Sequence, residues 1–475
     1  MASSNPNNRP YVPLPAAFVE RVAAGLPGLA ESLDTEAPVS VRFNPGKPFD
    51  RPERFAAVEP VPWVGPGEAG YLAERPVFTA DPVFHGGAYY VQEAGSMFVG
   101  WLLRQVQDAL GERLRVLDLC AAPGGKTTHL ASVVGPEGVV VANEVIRSRA
   151  KVLAENVQKW GSGNVAVVSN DPAEFGSRLP ALFDAVVVDA PCSGEGMFRK
   201  DYGARAEWSP ENVQLCAARG RRIVSDAWGA LRPGGVLVYS TCTFNAAENE
   251  ENVRWIAEEL GGEVLTFGDS LPDEGIVPGF AAGRPAGWHF YPHRVRSEGF
   301  FAAAIRKSGR LSDGAAGRFR ASKGLTPLSR NERCEVGRWI SAGSEIEHFA
   351  TGGDGTVYGF STPLAEMVAA LQNSRFHLLY SGVQFGEMIR GGLKPGPALA
   401  LYAGLNRTAV PVADLSEAEA LEYLRKGTSP TLLPPDKFCE GLNIVLCRRI
   451  ALGWNKRIGR RCNNLYPSAW RILHY

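Results

Sequence analysis

Five short apolar runs, at 115–119, 138–142, 164–168, 183–188 and 236–239, alternate with segments of helical periodicity and constrain this chain more than any other feature. Runs that are apolar at nearly every position suit strands covered on both faces, and strands alternating with helices make a parallel sheet. The expectation is an α/β domain of the Rossmann-like kind, with its chemistry at the carboxyl ends of the strands. An apolar helix near 97–106 leads into this domain, and Phe300-Phe301-Ala302-Ala303-Ala304-Ile305 completes the sheet.

The turn after the first run is Cys120-Ala121-Ala122-Pro123-Gly124-Gly125-Lys126-Thr127-Thr128. Its glycines let a backbone approach a ligand closely and open a helix whose amides aim at it. A P-loop needs a glycine where Cys120 stands, and a dinucleotide turn needs three spaced glycines where only Gly124-Gly125 is present. What remains of the nucleotide-site logic is Glu144 at the end of the next run, placed to accept hydrogen bonds from two ribose hydroxyls. A nucleoside-like ligand without a pyrophosphate fits, and S-adenosylmethionine is the common one. Asp171, after the third run, stands near the adenine on this reading; before Pro172 it is equally an ordinary helix cap.

Two cysteines follow the last two runs: Cys192 in Asp189-Ala190-Pro191-Cys192-Ser193-Gly194, and Cys242 in Ser240-Thr241-Cys242-Thr243. A fourth strand ending in Asn/Asp-Pro-Pro-Tyr/Phe would suit methylation of an exocyclic amine, whose lone pair needs no covalent help. Carbon 5 of a pyrimidine does need it, because the carbon is a poor nucleophile until a thiolate adds at carbon 6. Such chemistry also needs a group at ring nitrogen 3 and a base for the hydrogen on carbon 5. Asp189 is the candidate for the first, and Cys192 for assisting the elimination. Either cysteine alone is more simply a buried, inert thiol; the pair beside this turn is not.

With these motifs in view, the chain resembles the Sun-type family of RNA cytosine-carbon-5 methyltransferases. The matching strings are Cys120 to Lys126, Asp189-Ala190-Pro191-Cys192-Ser193-Gly194-Glu195-Gly196, Tyr239-Ser240-Thr241-Cys242-Thr243 and the helix start Asn245-Ala246-Ala247-Glu248-Asn249-Glu250, within about residues 85–306. The resemblance implies that Cys242 is the nucleophile and that Cys192 is needed to release product. It also implies a pocket for S-adenosylmethionine made by Cys120, Ala121, Ala122, Pro123, Gly124, Gly125, Lys126, Glu144, Asp171 and Asp189. Asp189 thus carries two proposed roles, which the sequence does not separate.

Flanking segments extend the resemblance. Val41-Arg42-Phe43-Asn44-Pro45 and Tyr90-Val91-Gln92-Glu93-Ala94 resemble the family's N-terminal RNA-facing region, with Gln92-Glu93 where Gln-Asp is more usual. Gly382-Val383-Gln384-Phe385-Gly386-Glu387 and Leu452-Gly453-Trp454-Asn455-Lys456 resemble the C-terminal extension of bacterial enzymes that methylate small-subunit ribosomal RNA, the last part PUA-like. The expected division is an N-terminal RNA-facing domain at 1–97, a methyltransferase domain at 98–307 and a Gly/Ser/Arg-rich linker at 308–328. A small α/β module at 329–402 and a basic PUA-like module at 403–475 follow.

The resemblance implies an RNA partner, 16S ribosomal RNA or the small subunit first and transfer RNA second, and the charge distribution fits an RNA partner. The 475 residues carry no net charge, yet residues 425–475 hold ten Lys/Arg against two Asp/Glu. The densest stretch, 454–466, mixes cations and amides with Trp454 and Tyr466, as a phosphate-and-base surface would; a merely solvated basic face is the plainer reading. Lys200 is a further RNA-contact candidate, though an exposed lysine needs no such role. Eight cysteines without C-x-x-C and seven histidines without H-E-x-x-H give no disulfide framework or zinc site and suit a reducing cytoplasm. The polar start, Met1-Ala2-Ser3-Ser4-Asn5-Pro6-Asn7-Asn8, is no signal peptide, and no run reaches the roughly 18 apolar residues of a membrane span. Readings from other classes are a non-catalytic RNA-binding assembly factor and a methyltransferase for a protein or small molecule. The thiol pair argues against the first and the basic C-terminal region against the second.

Overall fold

The computed structural model describes residues 11–56, 58–111, 113–309, 324–427, 433 and 435–473. Most of the expected linker and the polar start lie outside the described residues. The central sheet holds the five expected parallel strands: β1 Arg115–Asp118, β2 Val139–Asn143, β3 Val165–Val168, β4 Phe183–Asp189 and β5 Leu231–Thr241. The antiparallel strand β6, Phe300–Lys307, lies against β5. Their spatial order is β6-β5-β4-β1-β2-β3, so the chain reverses its direction of growth between β1 and β4. That switch point opens a crevice above the strand ends, where doubly wound sheets bind their ligands.

Burial explains the apolar runs. Val139, Val140, Val141 and Ala142 of β2 are at most 1% exposed, because helices cover both faces of the sheet. Helix α1, Phe98–Leu110, buries Phe98, Leu102, Val106 and Leu110 on one stripe and stops at Gly111, whose φ of 101° is left-handed. Helices α2 (Gly125–Val134), α3 (Arg147–Trp160) and α4 (Pro172–Arg178) return the chain between β1 and β4, and α5 (Pro210–Trp228) leads to β5. Helix α6, Glu250–Glu259, follows β5.

The sheet is wider than expected. Strands Val277–Ala281 and Arg284–Phe290 continue it beyond β6, and Leu378–Ser381 pairs antiparallel with β3 at the opposite edge. The open edge of β3 would otherwise present unpaired backbone groups to solvent, and a strand from the C-terminal half covers it. Leu325–Pro327, inside the expected linker, is itself a strand paired with His348–Gly352.

The N-terminal and C-terminal sheets meet. The N-terminal sheet packs Val41, Phe43 and Tyr89 into one core with Val445 and Ile450 of the C-terminal four-stranded sheet, Tyr423 of the helix Glu417–Leu424 and Tyr466 after the last strand. Contact is so close that a Cβ on Gly86 would lie 2.3 Å from Ile450 Cγ2. Trp454 is 2% exposed, donates from Nε1 to Gly396 O at 2.9 Å and meets Trp339 edge-on. Trp454 and Tyr466 are therefore interior anchors, which corrects their reading as part of a base-stacking surface. Both faces of that sheet are covered, so its aromatics turn inward while Lys456, Arg460 and Arg461 stay exposed.

Candidate active site

Two loops that leave adjacent strands bring the cysteines together. β4 and β5 run parallel in register Asp189↔Ser240, so Cys192 and Cys242 emerge side by side. Their Sγ atoms are 3.3 Å apart, and Cys242 N donates to Cys192 Sγ at 3.4 Å. All eight cysteines are free thiols. The hydrogen bond with Cys242, then burial and the charge of nearby Glu248, hold the Cys192 thiol well above the ordinary cysteine range. The Cys192 thiol is thus held in its protonated form.

Asp189 sits between the thiols and the Gly-containing turn. Lys126 Nζ donates to its Oδ2 at 2.7 Å, and Ser240 Oγ donates to Oδ1 at 2.9 Å. Burial opposes a charge on Lys126, but Asp189 outweighs it, with Asp118 and Cys242 adding, so the ammonium is held above the ordinary lysine range. It also lies over the Phe300 ring, 5.4 Å from the centroid. A cation thus stays close to Cys242.

The turn itself is built around Gly124, whose φ of 114° suits glycine and whose Cβ would lie 3.2 Å from Leu153 Cδ1. The loop is strapped down from outside. Ala121 N donates to Asn143 O at 2.9 Å, Asn156 Nδ2 to Pro123 O at 2.8 Å and Arg149 Nη2 to Ala122 O at 3.1 Å. Beneath it, Asp118 Oδ2 accepts from Thr127 Oγ1 at 2.6 Å, while Asp118 Oδ1 is buried with no hydrogen-bond partner among the described residues. Burial pushes the Asp118 carboxyl up to about 7. Cys120, at the start of the turn, has its thiol pushed up by burial and is no candidate nucleophile.

Glu144 and Asp171 close the rim. Glu144 follows β2, is 4% exposed, accepts from Ile146 N at 2.9 Å and lies 3.5 Å from Arg149 Nη1. Asp171 follows β3 and caps α4: its Oδ1 accepts from Ala173 N at 3.0 Å, and Glu174 Oε2 accepts from Asp171 N at 3.0 Å. The cap reading of Asp171 is realised, and its carboxylate still stands at the rim. The C-terminal half reaches this rim too, since His377 N donates to Asn170 Oδ1 at 2.9 Å. Carboxylates thus surround the turn, and its lysine is already paired. A polyphosphate would be repelled there, whereas a cationic, ribose-bearing ligand fits the donors and acceptors present.

The two motifs expected to face RNA point inward. Arg42 is 2% exposed and donates from Nε to Gln92 Oε1 at 2.8 Å, and from Nη2 to Thr128 Oγ1 at 2.6 Å and Gly125 O at 3.1 Å. These side chains brace the start of α2 from the N-terminal sheet, because the catalytic domain covers that face of the sheet. Glu93 accepts from Gly95 N at 2.8 Å, Ser96 N at 2.7 Å and Ser297 Oγ at 2.7 Å, tying the same region to the loop before β6. Lys200 pairs with Glu298 Oε2 at 2.5 Å.

Sequence reading missed the carboxylates behind the thiols. Glu248 and Glu195 lie inside the quoted motif strings, yet only the fold shows that each crosses from one cysteine loop to the other. Among the described residues, no group of three or more His, Cys, Asp or Glu side chains is placed to hold a metal ion, and no helix is long and apolar enough to cross a membrane.

Comparison with known proteins places the sequence in a family. The sequence profile described as 16S rRNA methyltransferase RsmB/F matches residues 107–306. The ribosomal RNA small subunit methyltransferase F of Klebsiella pneumoniae (strain 342) is 34% identical over 424 residues, which cover 86% of this chain and 83% of that one. This chain belongs to the RsmB/F methyltransferase family. Its flanks match profiles for the N-terminal domain of RsmF, at 14–94, and for the RsmF PUA domain, at 410–472. The enzyme of the same name from Serratia proteamaculans (strain 568) is 35% identical over 422 residues, covering 86% of this chain and 84% of its own. The crystal structure of PH0851 superposes with a TM-score of 0.52 at 25% identity, over 62% of this chain and 66% of that one.

Proposed function

We propose that this RsmB/F family member methylates carbon 5 of a cytidine in 16S ribosomal RNA, through a covalent bond between Cys242 and the base. The observation that carries this reading is the 3.3 Å thiol pair set beside the Lys126–Asp189 ion pair. S-adenosylmethionine, the methyl donor, supplies an electrophilic methyl group when bound. The residues assigned to hold it are Cys120 to Lys126, Glu144, Asp171 and Asp189, and the orphaned buried oxygen of Asp118 suits a polar partner in that pocket.

The protein's own steps follow from charge. Cys242, whose sulfur lies 3.3 Å from the Cys192 thiol and near the Lys126 cation, is the nucleophile that adds to carbon 6 as a thiolate. Addition pushes electron density toward ring nitrogen 3 and oxygen 2, where the Lys126–Asp189 pair offers a donor and an acceptor. Carbon 5 is then nucleophilic and takes the methyl group. Its hydrogen leaves as a proton with the assistance of Cys192, and the Cys242–carbon bond breaks to restore both the aromatic base and the thiolate.

RNA contact is assigned to exposed cations of the C-terminal module, Lys456, Arg460 and Arg461, and to the N-terminal region outside its buried motifs. A functional division at 97, 307, 328 and 402 is part of the proposal. So is placement in a reducing cytoplasm, which keeps two adjacent thiols free.

Bisulfite sequencing of ribosomal and transfer RNA from cells with and without this gene tests the reading. Loss of one or more discrete 5-methylcytosine signals in 16S ribosomal RNA is expected. A loss confined to transfer RNA would overturn the substrate. No loss in cells shown to express the protein would overturn the catalytic reading in favour of a binding role.

A further inference from the structure

Behind the thiols lies a hydrogen-bonded bracket that the proposed mechanism does not use. Each cysteine loop sends one buried carboxylate across to the other. Glu248, 1% exposed and six residues after Cys242, accepts from Ser193 N at 2.9 Å and from Ser193 Oγ at 2.5 Å. Asn245 Nδ2 donates to the same carboxylate at 2.7 Å, and the Ser193 and Thr243 hydroxyls meet at 3.0 Å. In the opposite direction Glu195, fully buried and three residues after Cys192, accepts from Phe244 N at 2.7 Å and Asn245 N at 3.0 Å. Trp208 Nε1 and Asn245 Nδ2 complete it, at 3.0 and 2.9 Å.

The two carboxylates serve different cysteines. Glu195 and the bond from Gly196 N to Cys242 O, at 2.9 Å, fix the carbonyl of Cys242 and the segment that follows it. Glu248 fixes Ser193, the residue next to Cys192. We infer that Glu248 is a positioning residue for the release step: it aligns Cys192 through Ser193, while attack by Cys242 depends on the Glu195 side of the bracket. Burial pushes the Glu248 carboxyl up to about 7, and its charge in turn helps keep the proton on Cys192. The inference rests on the functional reading above, since it assigns a step only if Cys192 releases product.

Denaturing gels of full-length protein incubated with in vitro transcribed 16S ribosomal RNA and S-adenosylmethionine separate the steps. Cys192→Ala and Cys242→Ala run beside Glu248→Gln and Ser193→Ala. The expected result for Glu248→Gln is an SDS-stable RNA adduct that accumulates, with turnover at least about tenfold lower, because a buried charge-assisted bond next to Cys192 is lost. Ser193→Ala, which keeps its backbone donor, shows the same accumulation to a smaller extent. Adduct and turnover falling together in Glu248→Gln, or neither changing, would overturn the inference. If thermal melting shows that Glu248→Gln is unfolded, Ser193→Ala decides by the same two criteria. Absence of adduct in Cys192→Ala would overturn the functional reading itself, and with it this assignment.

Discussion

The cysteine loops and the basic C-terminal sheet are both rich in polar residues, and the structure uses them in opposite ways. In the loops, Ser193, Thr243 and Glu248 are buried and joined by hydrogen bonds, and buried Glu195 is bonded to Asn245 and Trp208. In the C-terminal sheet, Lys456, Arg460 and Arg461 stay in solvent, while Trp454 and Tyr466, which a surface reading would put beside them, form the core. A buried polar group needs a specific partner, so each loop residue is tied to one geometry. An exposed cation is one of several that act by charge, and no single one is decisive.

If that contrast holds, Cys242→Ala has the largest effect. Methylation falls at least about a thousandfold in a methyl-transfer assay, and no RNA adduct forms. Turnover surviving at a tenth of the wild-type rate would break the account of the loops. Next comes Glu195→Ala, which leaves several buried donors without an acceptor. Denaturant unfolding should show a loss of about 3 kcal/mol or more, against about 0.5 kcal/mol or less for Arg460→Ala. Equal losses would erase the distinction between the two regions.

The double variant Arg460→Ala/Arg461→Ala sharpens the other half. RNA binding weakens about fivefold to tenfold at moderate salt, the slope of log affinity against log salt falls by about 2, and the maximal rate with saturating RNA is unchanged. A drop in that rate instead would mean that the sheet acts on the chemistry. The smallest effect concerns pH. Asp118 binds its proton more tightly folded, at about 7, than at the ordinary 3.8, so its contribution to stability is fully present below about pH 4 and is lost as pH rises through 7. Asp118→Asn should flatten the fall in melting temperature between pH 4 and 7 in cofactor-free protein. An unchanged profile would show that the carboxyl titrates normally.

These contrasts also explain what could be read from residues alone. The parallel strands and the meeting of the two thiols at neighbouring strand ends were legible, because covered strands leave unbroken apolar runs and fix where loops emerge. Arg42 was not legible as a brace. An arginine between Val41 and Phe43 looks like the solvent side of an alternating strand, and only the docking of the catalytic domain on that face reverses it. Glu195 and Glu248 escaped for a related reason: nothing in a linear string shows that a carboxylate crosses to a loop about 50 residues away. The edge strand Leu378–Ser381 and the shared core of the N-terminal and C-terminal sheets depend on long-range packing that local periodicity does not encode.

The most direct test of the central claim is to map the adduct. Replacing cytidine by 5-fluorocytidine in 16S ribosomal RNA leaves no proton to remove from carbon 5, so the covalent species persists. Trypsin cuts at Arg199 and Arg222, which puts the two thiols in different peptides for mass spectrometry. The account predicts a nucleoside adduct on the peptide that contains Cys242. An adduct on the peptide that contains Cys192, or none on either, would contradict it.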